Sequence, residues 1–472
     1  MSIDTLLIII GIIVALYALA RPVQQKTIFI FASSFMVLSF LALSLLNFII
    51  LDIAYTYQIE ISFKKSFWIR LISLILAISA ALLVIVSWRR ARLSLKRDRK
   101  FRAFIKVCVL ENEYSELSRI ISKNEAKLIR RVKSETLQLL FDRSFIKFES
   151  SINSHLHLRL LSNKAIFDTL SNPLGIVDLL AREMLTANNS LLKLAVVHEY
   201  GVEEHLRPDN EEWKLIEKTI QNPGWYMRAR FDYPLIMAVV EKISSGEYDA
   251  IYNRYNGLYS ISQGKSLRIN CPIYLTLKTH VLMLKKAIDQ NGNDDYYVSD
   301  LFDLLRMICD HSEYDRDNWK EYESSGYKPT TFAYLMDDIN NDFADLFYHM
   351  VLYHQSDENL GAVGVQLSFI WPFCVLYIAE SRDRVPEKFK KRFILAYLVN
   401  ILKLKEHKDS WGNKLAEDMK DKLRLSNASV FSLFRAAHAD LDLGKAYIFN
   451  HRRWLLGEIE EAEAGGRAAP SA

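Results

Sequence analysis

Three long apolar runs lie within the first ninety residues: Leu6–Ala20, Thr27–Leu51 and Trp68–Trp88. Their only charged residue is Arg70, near the start of the third run. A helix rises about 1.5 Å per residue, so roughly 20 apolar residues cross a hydrocarbon core of about 30 Å. The runs therefore predict a transmembrane anchor over residues 1–93, with helices at 5–21, 27–51 and 68–88.

The first run ends in the small-x-small triplet Ala18-Leu19-Ala20, which is also typical of a signal-peptide cleavage site. A signal peptide begins with a positively charged region, whereas Met1–Asp4 is acidic. We therefore expect a retained anchor, with a cleaved signal peptide as the rival interpretation.

Basic residues are densest directly behind the third run. Because lysine and arginine accumulate on the cytoplasmic side, the N-terminus is expected outside and residues beyond 89 inside. The cluster is also expected to bind anionic lipid head groups, at about 1 kcal/mol per charge, with nucleic acid as the rival partner. Its members are Arg89, Arg90, Arg92, Lys96, Arg97, Arg99 and Lys100.

Small residues recur at helical spacing in two of the apolar runs: Gly11 and Ala15 in the first, and Ser73, Ala77 and Ala81 in the third. Such spacing lets helices approach closely within lipid. It is compatible with self-association through the anchor and with packing of the three helices inside one chain.

Beyond residue 90 the apolar spacing is mostly helical, which predicts an all-α fold. Helices are expected to begin at Ser171-Asn172-Pro173, before Leu191 and at Pro386. The least helical stretch, 252–275, leaves room for a short β-hairpin. Breaks in the pattern predict helical subdomains at 94–221 and 222–457 and a loose tail at 458–472.

A fourth apolar run, Gly361–Ala379, is nearly long enough to span a membrane. A basic cluster follows it and would lie on the wrong side if the run crossed outward. We expect a buried core helix or a helix broken at Pro372.

Composition adds few constraints. A net charge of +4 is too small to indicate nucleic-acid binding by itself. The four cysteines are far apart, without a CxxC pair, and are expected to be buried thiols. We expect no cofactor and no metal site.

Arg306 and His311 match the arginine-x4-histidine spacing of helical-bundle ribonucleases. In that chemistry the two side chains pair across a dimer near a phosphodiester, and the histidine acts as an acid–base group. A short pattern of this kind also arises by chance, and the neighbouring Asp310 equally fits a surface ion pair.

Three other groups of residues point to chemistry less specifically. Gly264-Lys265-Ser266 lacks the earlier glycine of a phosphate-binding loop. His198 and His205 are seven apart with Gly201 between them, unlike the four-residue spacing of a zinc helix. The acidic row around Asp337 and Asp345 fits a solvated face or a partner for basic residues better than a cation site.

The segment Ile8–Pro22, IIIGIIVALYALARP, resembles the N-terminal anchor of bacterial membrane-tethered proteins encoded in phage-defence and stress operons. The resemblance implies an inner-membrane protein whose helical cytoplasmic domain senses or binds something. It also implies a membrane part that clusters and disturbs the bilayer when triggered.

Three functions are thus compatible with the sequence. The first is a membrane-anchored interaction or effector protein of antiviral defence, acting with a protein partner or as a homo-oligomer. The second is a membrane-tethered enzyme, most concretely a ribonuclease using Arg306 and His311. The third is a scaffold subunit of a membrane complex.

Overall fold

The described residues form eighteen α-helices and no strand, so the all-α prediction is confirmed for this part of the chain. Most of the predicted anchor, 1–93, lies outside these residues. A computed structural model describes residues 49–50, 53–54, 56–57, 67–68, 71, 98–131, 134–152, 155–187, 190–200, 208–244, 271–290, 296–312, 331–353, 361–381, 384–406, 410–423 and 428–440.

The chain divides into two compact units, Met1–Pro173 and Leu174–Ala472. The predicted subdivision at residue 222 rests on a different criterion, the breaks in the apolar pattern, and stays a prediction. The helices of the first unit are α1 (Asp98–Leu110), α2 (Tyr114–Arg131), α3 (Ser134–Leu140), α4 (Arg143–Ser151), α5 (Leu156–Ser162) and α6 (Lys164–Thr169).

Leu137 of α3 and Phe145 of α4 are both buried. Asp142 caps α4, because its side chain accepts hydrogen bonds from the backbone N–H groups of Ser144 and Phe145. The buried His157 ring of α5 donates through Nε2 to the Leu140 carbonyl over 2.8 Å. This bond joins the end of α3 to α5, and burial lowers the pKa of His157 to about 4.

Helix starts in the second unit follow the predicted signals. One helix begins at Pro173, another at Leu191, and a third directly after Pro386. The helices are α7 (Pro173–Thr186), α8 (Leu191–Tyr200), α9 (Asn210–Lys218), α10 (Pro223–Ala229), α11 (Asp232–Ser244), α12 (Pro272–Asp289), α13 (Tyr296–Asp310), α14 (Thr331–Tyr353), α15 (Gly361–Glu380), α16 (Glu387–Glu406), α17 (Ser410–Leu423) and α18 (Ala428–Ala439).

Helix α12 lies at the centre of the second unit. Every residue from Pro272 to Leu284 is buried, and α8, α10, α11, α13, α14 and α15 pack around it. The β-hairpin interpretation of 252–275 is wrong for 272–275, because these residues form the first turn of α12. Pro272 at the helix start explains the error, since proline is favoured in the first turn. Residues 252–270 lie outside the described part.

One ion pair crosses this core. Lys278 of α12 donates through Nζ to both carboxylate oxygens of Asp342 on α14, at 2.5 and 2.6 Å. The two side chains are only 6% and 5% exposed. Burial raises the pKa of Asp342 to about 6, because desolvation outweighs the attraction of the Lys278 ammonium.

Helix α15 is the fourth apolar run of the sequence. By length and composition its window 363–380 could cross a membrane, yet 61% of that window is buried within the protein. Trp371 stacks on Phe343 and Phe347 and donates through Nε1 to Asn340 over 2.7 Å. These contacts support the core-helix prediction. The predicted break at Pro372 is wrong, because α15 continues through it.

The Lys278→Met variant is expected to lose about 3–5 kcal/mol of unfolding free energy, because it leaves the Asp342 charge buried without its partner. The double variant Lys278→Met/Asp342→Leu is expected to recover most of this loss. Chemical unfolding of the detergent-solubilised chain measures both. Equal stability of Lys278→Met and wild type would contradict the role given to the pair.

Candidate functional site

A cavity of about 890 Å³ lies between α10, α11 and α13 in the second unit. This size falls within the usual range for small-molecule sites. Six lining residues supply apolar or aromatic surface and eight are polar or charged. The apolar group is Met227, Tyr233, Ile236, Met237, Val240 and Met307, and the polar group is Arg230, Asp232, Ser299, Asp300, Asp303, Arg306, Asp310 and His311.

Helix α13 forms one wall of the cavity. One face of this helix is apolar and the other is polar. The fully buried Leu301, Leu305 and Ile308 belong to its core side. Polar residues recur at three- and four-residue steps on the cavity side: Ser299, Asp303, Arg306 and Asp310. Such spacing aligns side chains along one helix face. The cavity therefore contains a continuous polar stripe.

The turn between α10 and α11 forms the opposite wall. Arg230 ends α10 in the left-handed region, at φ 45°, and its backbone N–H bonds to the carbonyls of Met227 and Tyr226. A non-glycine residue pays roughly 1 kcal/mol for this conformation. The turn places the guanidinium 5.5 Å from the Tyr233 ring and Asp232 in the first turn of α11.

Asp300 and Asp232 form a carboxyl pair inside the cavity. The two side chains share a hydrogen bond, and Asp300 is only 19% exposed. Burial, repulsion from Asp232 and that hydrogen bond raise the pKa of Asp300 to about 8, while Arg230 opposes the rise. Two carboxylates in contact cannot both ionise easily, so the pair holds one proton near neutral pH.

One carboxyl oxygen of Asp300 makes no hydrogen bond. Its Oδ2 atom is buried without a hydrogen-bond partner. Nε2 of His280, on α12, is 3.8 Å away, beyond hydrogen-bond reach. A buried acceptor of this kind costs about 1–3 kcal/mol. The atom is enclosed by the protein near His280 and is not exposed to the cavity.

The structure brings the two sequence-predicted catalytic residues into the same cavity. Arg306 is 53% exposed and pairs with Asp303 over 3.1 Å. His311 bonds through Nδ1 to the Met307 carbonyl over 2.9 Å. Because a carbonyl only accepts, Nδ1 carries the hydrogen, and Nε2 bears the lone pair of the neutral ring. Asp310 pairs with Arg384, so its predicted surface ion pair is present.

The other sequence-based metal candidates do not form a site in the described residues. Asp337 pairs with Arg392, Asp342 with Lys278 and Asp345 with Lys285. The acidic row is therefore a partner for basic residues, as the sequence favoured. Within the described ranges no group of three or more His, Cys, Asp or Glu is placed to hold a metal ion.

Other sequence-based candidates are described in part or not at all. The His198 ring lies 4.0 Å from that of Trp213, whereas His205 and Gly264-Lys265-Ser266 fall outside the described residues. So do Gly11, Ala15, Ser73, Ala77, Ala81, Arg89, Arg90, Arg92, Lys96 and Arg97. Arg99 and Lys100 lie in the first turn of α1. All four cysteines are buried free thiols, as predicted.

Sequence reasoning missed Arg230, Asp232 and Asp300. Asp300 is one of several acidic residues in its segment, and nothing local distinguishes it. Its partner Asp232 is 68 positions earlier in the chain. Only the packing of α11 against α13 brings the two together.

Comparison with known proteins adds no assignment: the chain has no significant match to a protein family, a curated protein or a solved structure.

The Asp300→Asn variant tests the carboxyl pair through pH-dependent stability. The folded state raises the pKa of Asp300 from 3.8 to about 8, so it binds a proton more tightly than the unfolded chain. Wild-type stability is therefore lost as pH rises from about 4 through about 8. Asparagine removes this dependence, and at pH 9 the variant is expected to be more stable by on the order of 2 kcal/mol.

Chemical unfolding between pH 5 and pH 9 measures this difference. Asp303→Asn is the matched control, because Asp303 lines the same cavity but pairs with Arg306. The control is expected to keep most of the wild-type pH dependence. Identical pH profiles for wild type and Asp300→Asn would exclude the shared proton.

Proposed function

We propose that the chain is a membrane-anchored effector of bacterial antiviral defence. Its N-terminal helices lie in the inner membrane with the N-terminus outside, and its helical units lie in the cytoplasm. Binding of a ligand or protein partner by the second unit promotes assembly of the membrane helices. The cavity between α11 and α13 is the binding site in this proposal.

The cavity carries the proposal. It combines an apolar wall, convergent charged groups and a carboxyl with a strongly raised pKa. Together these features are typical of a ligand site and are not required for a helical core. A scaffold with no ligand would gain nothing from keeping Asp300 buried beside Asp232.

The membrane anchor is supported by the preference of apolar helices for lipid over water. The apolar runs hold a single charge, and a lipid core is the environment in which such helices are most stable. Among the few described residues of the second run, Ile49 and Ile50 are helical and about half exposed. Exposed isoleucines are costly in water and favourable in lipid.

The intact chain is expected to sediment with bacterial membranes and to resist alkaline extraction. A matched chain that begins at residue 94 is expected to lose this behaviour, because it lacks all three apolar runs. Ultracentrifugation followed by immunoblotting measures both distributions. Recovery of the intact chain in the aqueous supernatant without detergent would overturn the membrane assignment.

A ribonuclease is the second candidate, favoured by one observation: Arg306 and His311 line the same cavity. If this candidate is correct, His311→Ala and Arg306→Ala each lower RNA cleavage by the purified chain by roughly a hundredfold or more. Arg143→Ala, on the exposed start of α4, is the control and keeps full cleavage. Failure of wild type to cleave single-stranded RNA would remove this candidate.

A further inference from the structure

We propose that the exposed side of α15 contacts the cytoplasmic surface of an anionic bilayer. Its apolar residues enter the boundary between head groups and acyl chains, and the basic segment behind the helix, 381–392, contacts the lipid phosphates. The inference goes beyond the ligand cavity. It rests on the proposed function only because the membrane anchor keeps the second unit close to the bilayer.

Six residues between 363 and 379 remain accessible along one side of α15. Val365 is 57% exposed and Phe369 is 43% exposed, and the other four are partly buried. Steps of four residues lead from 365 to 377, so these side chains follow one helix face for roughly 18 Å. The residues, called the α15 stripe below, are Val365, Gln366, Phe369, Ile370, Phe373 and Tyr377.

The α15 stripe contains no charged residue. A helix face exposed to water normally carries charges, as the cavity side of α13 does with Asp303 and Arg306. The α15 stripe has one amide, Gln366, and is otherwise apolar or aromatic. The rings of Phe369 and Phe373 contact each other, with centroids 4.8 Å apart. Contiguous exposed apolar surface of this kind marks a contact with protein or with lipid.

The segment that follows α15 supplies the charge that favours lipid. Residues 381–392 contain six basic and two acidic side chains, an excess as large as the net charge of the whole chain. Anionic head groups attract such a cluster. The basic residues are Arg382, Arg384, Lys388, Lys390, Lys391 and Arg392, and the acidic ones are Asp383 and Glu387.

Asp310 of α13 joins the α15 stripe to this basic segment. Its Oδ1 atom accepts a hydrogen bond from the Tyr377 hydroxyl over 2.6 Å and another from Nη1 of Arg384. The last residue of the stripe therefore lies beside an arginine of the segment. Lys388 is exposed in the first turn of α16. Apolar surface that is bordered by cations is the arrangement found in helices that bind at a membrane surface.

Ion pairs within the protein leave the arginines of the segment able to bind phosphate. Arg384 pairs with Asp310, and Arg392 pairs with Asp337. A guanidinium has five N–H donors, so one ion pair does not occupy all of them. The two arginine side chains are 49% and 58% exposed. Lys390 differs, because it is only 6% exposed and belongs to the core.

The contact is peripheral and does not span the bilayer. The opposite side of α15 packs within the protein, and 61% of the window 363–380 is buried. The basic segment makes an outward crossing unfavourable, whereas a surface contact keeps its charges on the cytoplasmic side. A second copy of the chain would bring the same basic segment to this surface and so no complementary charge. Anionic lipid supplies both the apolar phase and the opposite charge.

Single cysteines test the contact on the full-length chain reconstituted in vesicles. The four native thiols are buried, so an added surface cysteine is the preferred site of labelling. Val365→Cys and Phe369→Cys place an environment-sensitive fluorophore on the stripe, and nitroxide-labelled acyl chains quench a probe that enters lipid. Leu174→Cys is the matched control, because Leu174 is 46% exposed but its helix face continues into Asp178 and Arg182.

In vesicles of phosphatidylcholine with about 30% phosphatidylglycerol, both stripe probes are expected to be quenched at least about threefold more than the Leu174→Cys probe. In pure phosphatidylcholine, quenching of the Phe369→Cys probe is expected to fall by roughly half or more, because the basic segment loses its anionic partner.

Three results would overturn the inference. The first is equal quenching of the stripe probes and the Leu174→Cys probe. The second is blue-shifted emission from the stripe without quenching, which means that protein, such as a second copy, covers it. The third is equal quenching in charged and neutral vesicles, which removes the role of the basic segment.

Alkaline washing of the same vesicles separates this inference from the proposed anchor. A chain that resists washing while its stripe probes stay unquenched retains the anchor and overturns the α15 contact. A chain whose stripe probes are quenched but which washing removes supports the α15 contact and contradicts the anchor.

Discussion

The ion pair between Lys278 and Asp342 constrains the whole second unit. Helix α12 is buried on all sides for more than three turns, so its one ammonium within that stretch has no route to water. An ammonium at such depth is tolerated only with a hydrogen-bonded counter-ion. The pair therefore fixes the register of α14 against α12. A purely apolar contact would let α14 slide along α12, whereas the ion pair forms at a single position of the two helices.

The cavity forms where α10, α11 and α13 pack around α12. Both α11 and α13 contact α12 and each other, and α13 also packs against α15. Helix α13 directs its leucines toward the core and its polar stripe toward the cavity. The left-handed turn at Arg230 then begins α11 with Asp232 beside Asp300. Packing thus holds two carboxyl groups together, although their ionised forms would repel each other.

Local patterns made much of the fold predictable. The helix starts at Pro173, at Leu191 and directly after Pro386 follow from proline and capping preferences. The first turn of α12 was missed because Pro272 also fits a turn. The continuity of α15 through Pro372 depends on Trp371 and its aromatic neighbours on α14 and α16, which no local rule contains.

The site was predictable only in part, because it too depends on contacts between helices that are distant in sequence. Arg306 lies on α13 and His311 directly follows its last residue, so their closeness in sequence accounts for their place in one cavity. The Asp232–Asp300 pair joins residues from two helices, and the burial that raises the pKa of Asp300 exists only after α11 and α13 pack. Sequence separation conceals such pairs, because neither carboxylate is unusual in its own segment.

The most direct test of the cavity concerns the proton that the Asp232–Asp300 carboxyl pair holds near neutral pH. Infrared difference spectroscopy between wild type and Asp300→Asn tests this directly, because a protonated carboxyl and a carboxylate have separate stretching bands. We expect a protonated-carboxyl band in wild type at neutral pH that disappears above about pH 8 and is absent from Asp300→Asn. Only carboxylate bands in wild type at neutral pH would contradict it.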